Sequence, residues 1–162
     1  HELWCHIHTK KSLHVPKLGD SWRWFLLQQV LGSKNQVRNI LSGFNRESDL
    51  GLVIQPFYKP AVDRVFRKWD EISRAKIFFK TLEINSLPPR NPIFAAGSMF
   101  WYRPKALSAL FDQNYSYDDF EPETSQLGGT LAHLVERSLP YIATNKTFSF
   151  KVVMPADRPE TP

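Results

Sequence analysis

Hydrophobic residues along this chain form short apolar runs that alternate with longer stretches of helical spacing. The short runs predict β-strands at residues 3–7, 51–55, 93–102 and 148–154. The longer stretches predict helices at residues 20–31, 37–44, 61–82, 104–111 and 126–139. We expect Asp20 or Ser21 to cap the first helix, and a break near Ser73 in the third. Because strands alternate with helices, the pattern predicts the α/β class.

Chain length and composition suit a single domain. A chain of 162 residues with 42% hydrophobic residues can bury one core, so we expect one α/β domain over residues 1–154. Residues 155–162 are rich in proline and charge, which predicts a disordered tail. The chain begins with His1 and enters an apolar segment at once, so we interpret it as an excised piece of a longer protein.

The charge balance favours an anionic partner. Lys and Arg total 21 and Asp and Glu total 16, which leaves a net charge of +5. This excess suits a nucleotide diphosphate, a nucleic acid or an anionic membrane face. The sequence has no dense basic run, so nucleic-acid binding is the least favoured of the three. A single cysteine, Cys5, excludes an internal disulfide and fits a reducing compartment.

The first candidate site follows the first predicted strand, in the sequence HIHTKKS. Ligands of open α/β sheets bind beyond the carboxyl ends of strands, and ammonium and hydroxyl groups there suit a diphosphate. The candidate diphosphate ligands are His8, Thr9, Lys10 and Lys11. A solvated basic turn is the simpler interpretation. A zinc site through His6 and His8 lacks further ligands at recognisable spacing.

The second candidate site is the sequence FAAGSMFWYRP at residues 94–104. Gly97 and Ser98 are small enough for a ligand to approach the backbone, and Trp101 offers a ring that can stack on a sugar. A core strand with one wedge glycine explains the same pattern equally well.

The third candidate site joins an acidic loop to the last predicted helix. Four loop carboxylates are followed on the helix by an imidazole, a carboxylate and a guanidinium: Asp118, Asp119, Glu121, Glu123, His133, Glu136 and Arg137. Inverting sugar transfer requires a general base that takes the proton of the acceptor hydroxyl, and a loop carboxylate beside a helix suits that role. The alternative is a solvated acidic loop followed by an ordinary helical salt bridge.

In this order, the three segments resemble the rhamnan synthesis protein F family of polysaccharide-building glycosyltransferases. The resemblance is carried by HIHTKKS, WRWFLLQQVLGS, FAAGSMFWYRPKAL and FEPETSQLGGTLAHLVER, and it covers about residues 3–143. It implies a partial GT-A-like (Rossmann-like) glycosyltransferase fold, with a mixed sheet flanked by helices and without the upstream nucleotide-binding part. It also implies transfer of rhamnose or a related sugar from a nucleotide-sugar donor to a growing cell-surface polysaccharide or lipid-linked glycan. The implied location is the cytoplasm, with peripheral association at the inner face of the plasma membrane.

The resemblance suggests roles for individual residues. Where GT-A enzymes carry an Asp-x-Asp metal motif, this chain has His8-Thr9-Lys10, so we expect transfer that requires no metal or other cofactor. The expected base is Glu123, followed by Glu121 and Asp119. The residues expected to bind the donor sugar or the acceptor are Gly97, Ser98, Trp101, Gln126, Thr130 and His133.

One departure from the family pattern favours an alternative function. The family usually reads Asp-Gly-Thr where this chain has Gly128-Gly129-Thr130. If that aspartate is the base, this chain lacks it. The alternative to an inverting glycosyltransferase is therefore a non-catalytic carbohydrate- or nucleotide-binding module derived from one.

Overall fold

Four strands form a mixed sheet in the described part of the chain. The computed structural model describes residues 2–9, 16–61, 69, 71–122 and 128–153. The strands are β1 (Trp4–His6), β2 (Leu50–Ile54), β3 (Phe100–Tyr102) and β4 (Ser149–Val152), in the order β1-β3-β2-β4. β3 pairs antiparallel with β1 and β2, whereas β4 is parallel to β2. The predicted α/β class with a mixed sheet is confirmed.

The helices pack on this sheet and on one another. They are α1 (Pro16–Leu31), α2 (Lys34–Arg46), α3 (Ile72–Thr81), α4 (Ser108–Phe111) and α5 (Leu131–Asn145), with 3-10 turns at Pro104–Leu107 and Tyr117–Asp119. The predicted separation of the first two helices is confirmed, and Ser33 caps α2 by accepting the Gln36 N–H at 3.0 Å. None of the helices in the described ranges combines the length and apolar content that a bilayer crossing requires.

β2 is the most buried strand, and its two faces contribute to different parts of the core. Leu52 and Ile54 lie in a cluster with apolar side chains of α3 and α5. Leu50 and Val53 lie in another cluster with Ile40 and Phe44 of α2. A third cluster joins α1 to the segment before β3 through Trp22, Leu26, Val30, Phe94 and Met99. Burial on both faces explains why this strand reads as a nearly continuous apolar run.

The strand predicted for residues 93–102 is wrong over the part before Phe100. Gly97 and Ser98 have φ angles of 95° and 53°, and the Ser98 N–H donates to the Ala95 carbonyl at 2.7 Å. A left-handed backbone cannot continue an extended strand, so the chain turns here and β3 begins only at Phe100.

Several helix boundaries also differ from the prediction. α1 begins at Pro16, before the expected caps Asp20 and Ser21, since proline is well accommodated in a first helical turn. α5 begins at Leu131 with Thr130 as its N-cap, later than predicted, and continues beyond residue 139 to Asn145. α3 begins at Ile72, close to the predicted break. Residues 62–68 of the predicted third helix and the predicted tail at 155–162 lie outside the described residues.

Candidate functional site

The Gly97-Ser98 turn adopts a backbone conformation that few side chains tolerate. A Cβ atom at position 97 would meet the Cδ1 atom of Leu26 on α1 at 2.5 Å. Glycine is therefore required there both by its positive φ and by the packing of α1. Ser98 has a left-handed backbone without being glycine, which costs about 1–3 kcal/mol. Contacts from the surrounding structure must hold this turn.

Side chains from β1, the residues after it, and α5 supply those contacts. The Nδ1 atom of His6 donates to the Ser98 carbonyl at 2.6 Å, and the Nε2 atom of His8 donates to the Gly97 carbonyl at 2.8 Å. The Oε1 atom of Glu136 accepts the Gly97 N–H at 2.8 Å and the Ser98 hydroxyl at 3.1 Å. The three segments in which the sequence suggests chemistry therefore meet at this turn.

A cleft of about 410 Å³ opens beside the turn. Its polar lining consists of the hydrogen-bonded group His6, Ser98 and Glu136. The rest of the lining is largely apolar and comes from β3, the segment after it and α5: Phe100, Tyr102, Leu107, Leu110, Phe111, Phe120, Ala132, Val135 and Leu139. Among the described residues that line the cleft, Glu136 is the carboxylate.

Glu136 belongs to the third candidate site of the sequence, but no catalytic or binding role was predicted for it. Ala132, Val135, Glu136 and Leu139 share one stripe of α5, because residues three and four apart lie on the same side of a helix. A charged residue inside an apolar stripe is the sequence signal that points to it. Its significance depends on the turn it contacts, which lies 39 residues earlier in the chain.

Glu121 is held in structural contacts at the start of α5. One carboxylate oxygen accepts the Leu131 N–H at 2.8 Å, and the other accepts from Arg74 at 2.8 Å. The hydrogen bond from Leu131 and then the one from Arg74 lower the pKa of Glu121 to about 2. Its carboxylate therefore satisfies a backbone N–H in the first turn of α5, beside the N-cap Thr130, and is a weak proton acceptor.

Asp119 is similarly engaged within its own 3-10 turn. Its Oδ2 atom accepts the Ser116 N–H at 2.7 Å and the Ser116 hydroxyl at 2.9 Å. The backbone hydrogen bond, followed by the hydroxyl hydrogen bond, lowers the pKa of Asp119. The exposed Asp119 carboxylate thus closes a capping box. Glu123, the first of the predicted bases, lies outside the described residues.

Thr130 and His133 are on a different side of α5 from Glu136. The Oγ1 atom of Thr130 accepts the His133 N–H at 3.3 Å and lies 2.6 Å from the His133 Nδ1 atom. Both line a space of about 10 Å³ beside Arg74 and Arg137, which has room for about one water molecule. The structure therefore separates these two predicted residues from the cleft that Ser98 lines.

The remaining predicted binding residues lie in different settings. Trp101 is half-buried, and its Nε1–H donates to the Val30 carbonyl of α1 at 3.0 Å, so its ring packs between the sheet and α1. His8 and Thr9 are exposed after β1. Lys10, Lys11 and Gln126 lie outside the described residues. Within the described ranges, no three His, Cys, Asp or Glu side chains are grouped as ligands for a metal ion.

Comparison with known proteins gives the chain its family. The sequence profile of the family described as Rhamnan synthesis protein F matches residues 1–148. Two relatives, both named Uncharacterized protein WxcX, come from Xanthomonas campestris pv. campestris strains B100 and ATCC 33913. Each is 33% identical over 146 residues, which is 89% of this chain and 20% of the relative. The chain thus spans about a fifth of the length of these relatives, and no solved structure matches it. The chain belongs to the rhamnan synthesis protein F family.

Proposed function

We propose that this chain forms part of a glycosyltransferase that transfers a sugar from a nucleotide-sugar donor to a growing cell-surface polysaccharide. Membership of a rhamnan synthesis family supports a role in polysaccharide synthesis. The proposed sugar is rhamnose or a related one. The proposed fold is GT-A-like, and the proposed site of action is the cytoplasmic face of the membrane.

The observation that carries this proposal is the cleft beside the Gly97-Ser98 turn. Its volume of about 410 Å³ lies within the roughly 300–1,000 Å³ of small-molecule sites. It combines apolar and aromatic walls with a small group of convergent polar side chains, which is how proteins bind and orient a sugar ring. The segments that carry the family resemblance contribute to this polar group through His6, Ser98 and Glu136.

The donor diphosphate is proposed to bind beyond β1. His8 and Thr9, together with the cations Lys10 and Lys11, would offset its negative charge without a required divalent metal. Transfer also requires a base for the acceptor hydroxyl. Asp119 and Glu121 are weak proton acceptors because their pKa values are lowered, which leaves Glu123 or a carboxylate inside the cleft.

The second candidate function is a non-catalytic carbohydrate- or nucleotide-binding module. Gly128 in place of the usual aspartate supports it, as do the structural contacts of Glu121. Such a module would bind a sugar or a nucleotide sugar in the same cleft but would not turn it over.

Turnover by the full-length protein tests the proposal. A panel of nucleotide sugars that includes dTDP-rhamnose would be incubated with the protein and a glycan acceptor, with and without EDTA. We expect transfer that survives EDTA and falls in the Lys10→Ala variant. Binding without transfer would favour the module, and a folded protein that neither binds nor transfers would overturn both functions. Transfer that EDTA abolishes, with Lys10→Ala fully active, would contradict the proposed metal independence alone.

A further inference from the structure

We infer that Glu136 is the general base of the proposed transfer reaction. This inference rests on the proposed function and goes beyond it, because the sequence directs attention to the loop carboxylates Asp119, Glu121 and Glu123. Glu136 differs from the described loop carboxylates Asp118, Asp119 and Glu121 in lining the cleft itself. It lies beside small residues and an imidazole, where a sugar hydroxyl can approach.

The hydrogen bonds of Glu136 leave part of its carboxylate available. Oε1 accepts both the Gly97 N–H and the Ser98 hydroxyl. Oε2 accepts no hydrogen bond from any residue in the described ranges. Since an ionised carboxylate has about four acceptor positions, Oε2 can accept the hydrogen of a bound hydroxyl while Oε1 keeps its two bonds.

The strained turn holds Glu136 in a fixed orientation. Two donors from adjacent residues fix Oε1, while His6 and His8 hold the carbonyl groups of the same turn. A base that is already oriented when substrate binds lowers the entropic part of the barrier. The positive φ of Ser98 persists because these contacts impose it, and the same contacts orient the proposed base.

The walls of the cleft would orient the acceptor towards this base. Phe111, which is exposed, and Phe120 offer aromatic surface for the C–H face of a sugar ring. With that face covered, the ring hydroxyl groups point away from the apolar wall. One of them would then lie at the polar group formed by His6, Ser98 and Glu136.

The chemical step is a single displacement. Glu136 takes the proton of the acceptor hydroxyl as that oxygen forms a bond to the anomeric carbon of the donor sugar. The bond between the anomeric carbon and the diphosphate oxygen breaks, and its electron pair leaves with the nucleoside diphosphate. Glu136 then releases the proton to solvent, and the configuration of the transferred sugar is inverted.

Glu136→Gln in the full-length protein is the decisive variant. Glutamine keeps an oxygen that can accept from Gly97 and Ser98 but cannot serve as a base at neutral pH. We expect kcat for transfer to fall about 10²- to 10⁴-fold, the usual effect of losing general base catalysis, with donor affinity unchanged. Ser98→Ala removes a hydrogen bond to Glu136 and keeps the carboxylate, so its loss should be about tenfold or less. The matched control is Glu83→Gln, which changes an exposed carboxylate outside the cleft and should transfer at nearly the wild-type rate. Glu123→Gln tests the carboxylate that the sequence favours as the base.

Rescue by a carboxylate separates a chemical role from a structural one. Glu136→Asp, which retains a carboxylate, should recover part of kcat, whereas Glu136→Gln should not, although both variants should bind the donor with the wild-type affinity. A Glu136→Gln enzyme with the wild-type rate, or a Glu123→Gln enzyme that alone loses activity, would overturn this inference and leave the proposed function intact. Absence of transfer by the wild type would instead overturn the proposed function.

Discussion

The Nδ1 atom of His6 lies 2.6 Å from the carbonyl oxygen of Ser98, although the two residues are 92 positions apart in the chain. The imidazole also stacks on Phe100, with 5.2 Å between ring centroids and 24° between the ring planes. β1 thus contributes to the sheet and also holds the strained turn beside the cleft. The short strand and the candidate site depend on the same contact.

Replacement of His6 by Phe separates these two contributions. Phenylalanine keeps a ring on Phe100 but removes the donor to Ser98. We expect a loss of about 1 kcal/mol in the free energy of unfolding, the net value of one hydrogen bond. Amide hydrogen exchange of the peptide around Ser98 should become faster, while exchange of β2 should not change. Unchanged exchange at both places would show that this bond does not hold the turn.

Gly97→Ala should destabilise the protein more than Gly129→Ala. Both glycines have positive φ, 95° and 81°, so both substitutions introduce backbone strain of about 1 kcal/mol. Only position 97 adds a clash, with Leu26 at 2.5 Å, whereas no atom of the described residues lies within 4 Å of a Cβ at position 129. The clash should lower the free energy of unfolding, measured by chemical denaturation, by about a further 1–3 kcal/mol. Equal losses for the two variants would contradict the packing of α1 on this turn.

The lowered pKa of Glu121 makes part of the stability depend on pH. Its pKa is about 2 in the folded protein and 4.5 for the ordinary group, so folding favours the ionised form. That stabilisation is complete above pH 4.5 and is lost as the pH falls towards 2. Because 40% of the side chain is exposed, solvent screening keeps the contribution modest.

Glu121→Gln tests this assignment through melting temperatures at pH 7 and pH 3. The variant should melt below the wild type at pH 7, and the difference should shrink at pH 3. The matched control is Asp118→Asn, which removes an exposed carboxylate three residues earlier. It should leave the melting temperature unchanged at both pH values. A difference that stays constant between the two pH values would argue against the ion pair with Arg74.

Arg103 connects β3 to the end of α2 and should resist substitution by lysine. Its Nε atom donates to the Leu50 carbonyl at 2.9 Å, its Nη2 atom donates to the Phe44 carbonyl at 2.6 Å, and its guanidinium lies over the Phe44 ring. Lysine cannot reproduce this forked geometry, so Arg103→Lys should cost about 1–3 kcal/mol. Arg46→Lys, which alters one exposed bond to Ser42, should cost less than about 0.5 kcal/mol. Similar losses for the two variants would contradict the inferred role of Arg103.

Local sequence pattern was sufficient to predict much of the architecture. A continuous apolar run identified β2, which is buried on both faces, and helical spacing identified α2, whose buried face repeats at the helical period. The same pattern failed at residues 93–99, where an apolar run forms a turn. Apolar content there reflects burial against α1, and periodicity does not distinguish a buried turn from a buried strand.

The family could be recognised from the segments HTKKS, GSMFWYRP and GTLAHLVER, because family membership is carried by the identities of the residues. The sequence could not show which side chains of those segments contact one another. Glu136 reaches Gly97, whereas His133, three residues earlier on the same helix, lies beside Arg74. That division depends on the rotation of α5 against the sheet, which is set by long-range packing of Leu139 and Ile142 with β2. Residue order along the chain does not specify such an angle. Only the packing of the helices and strands therefore decides which side chains form the site.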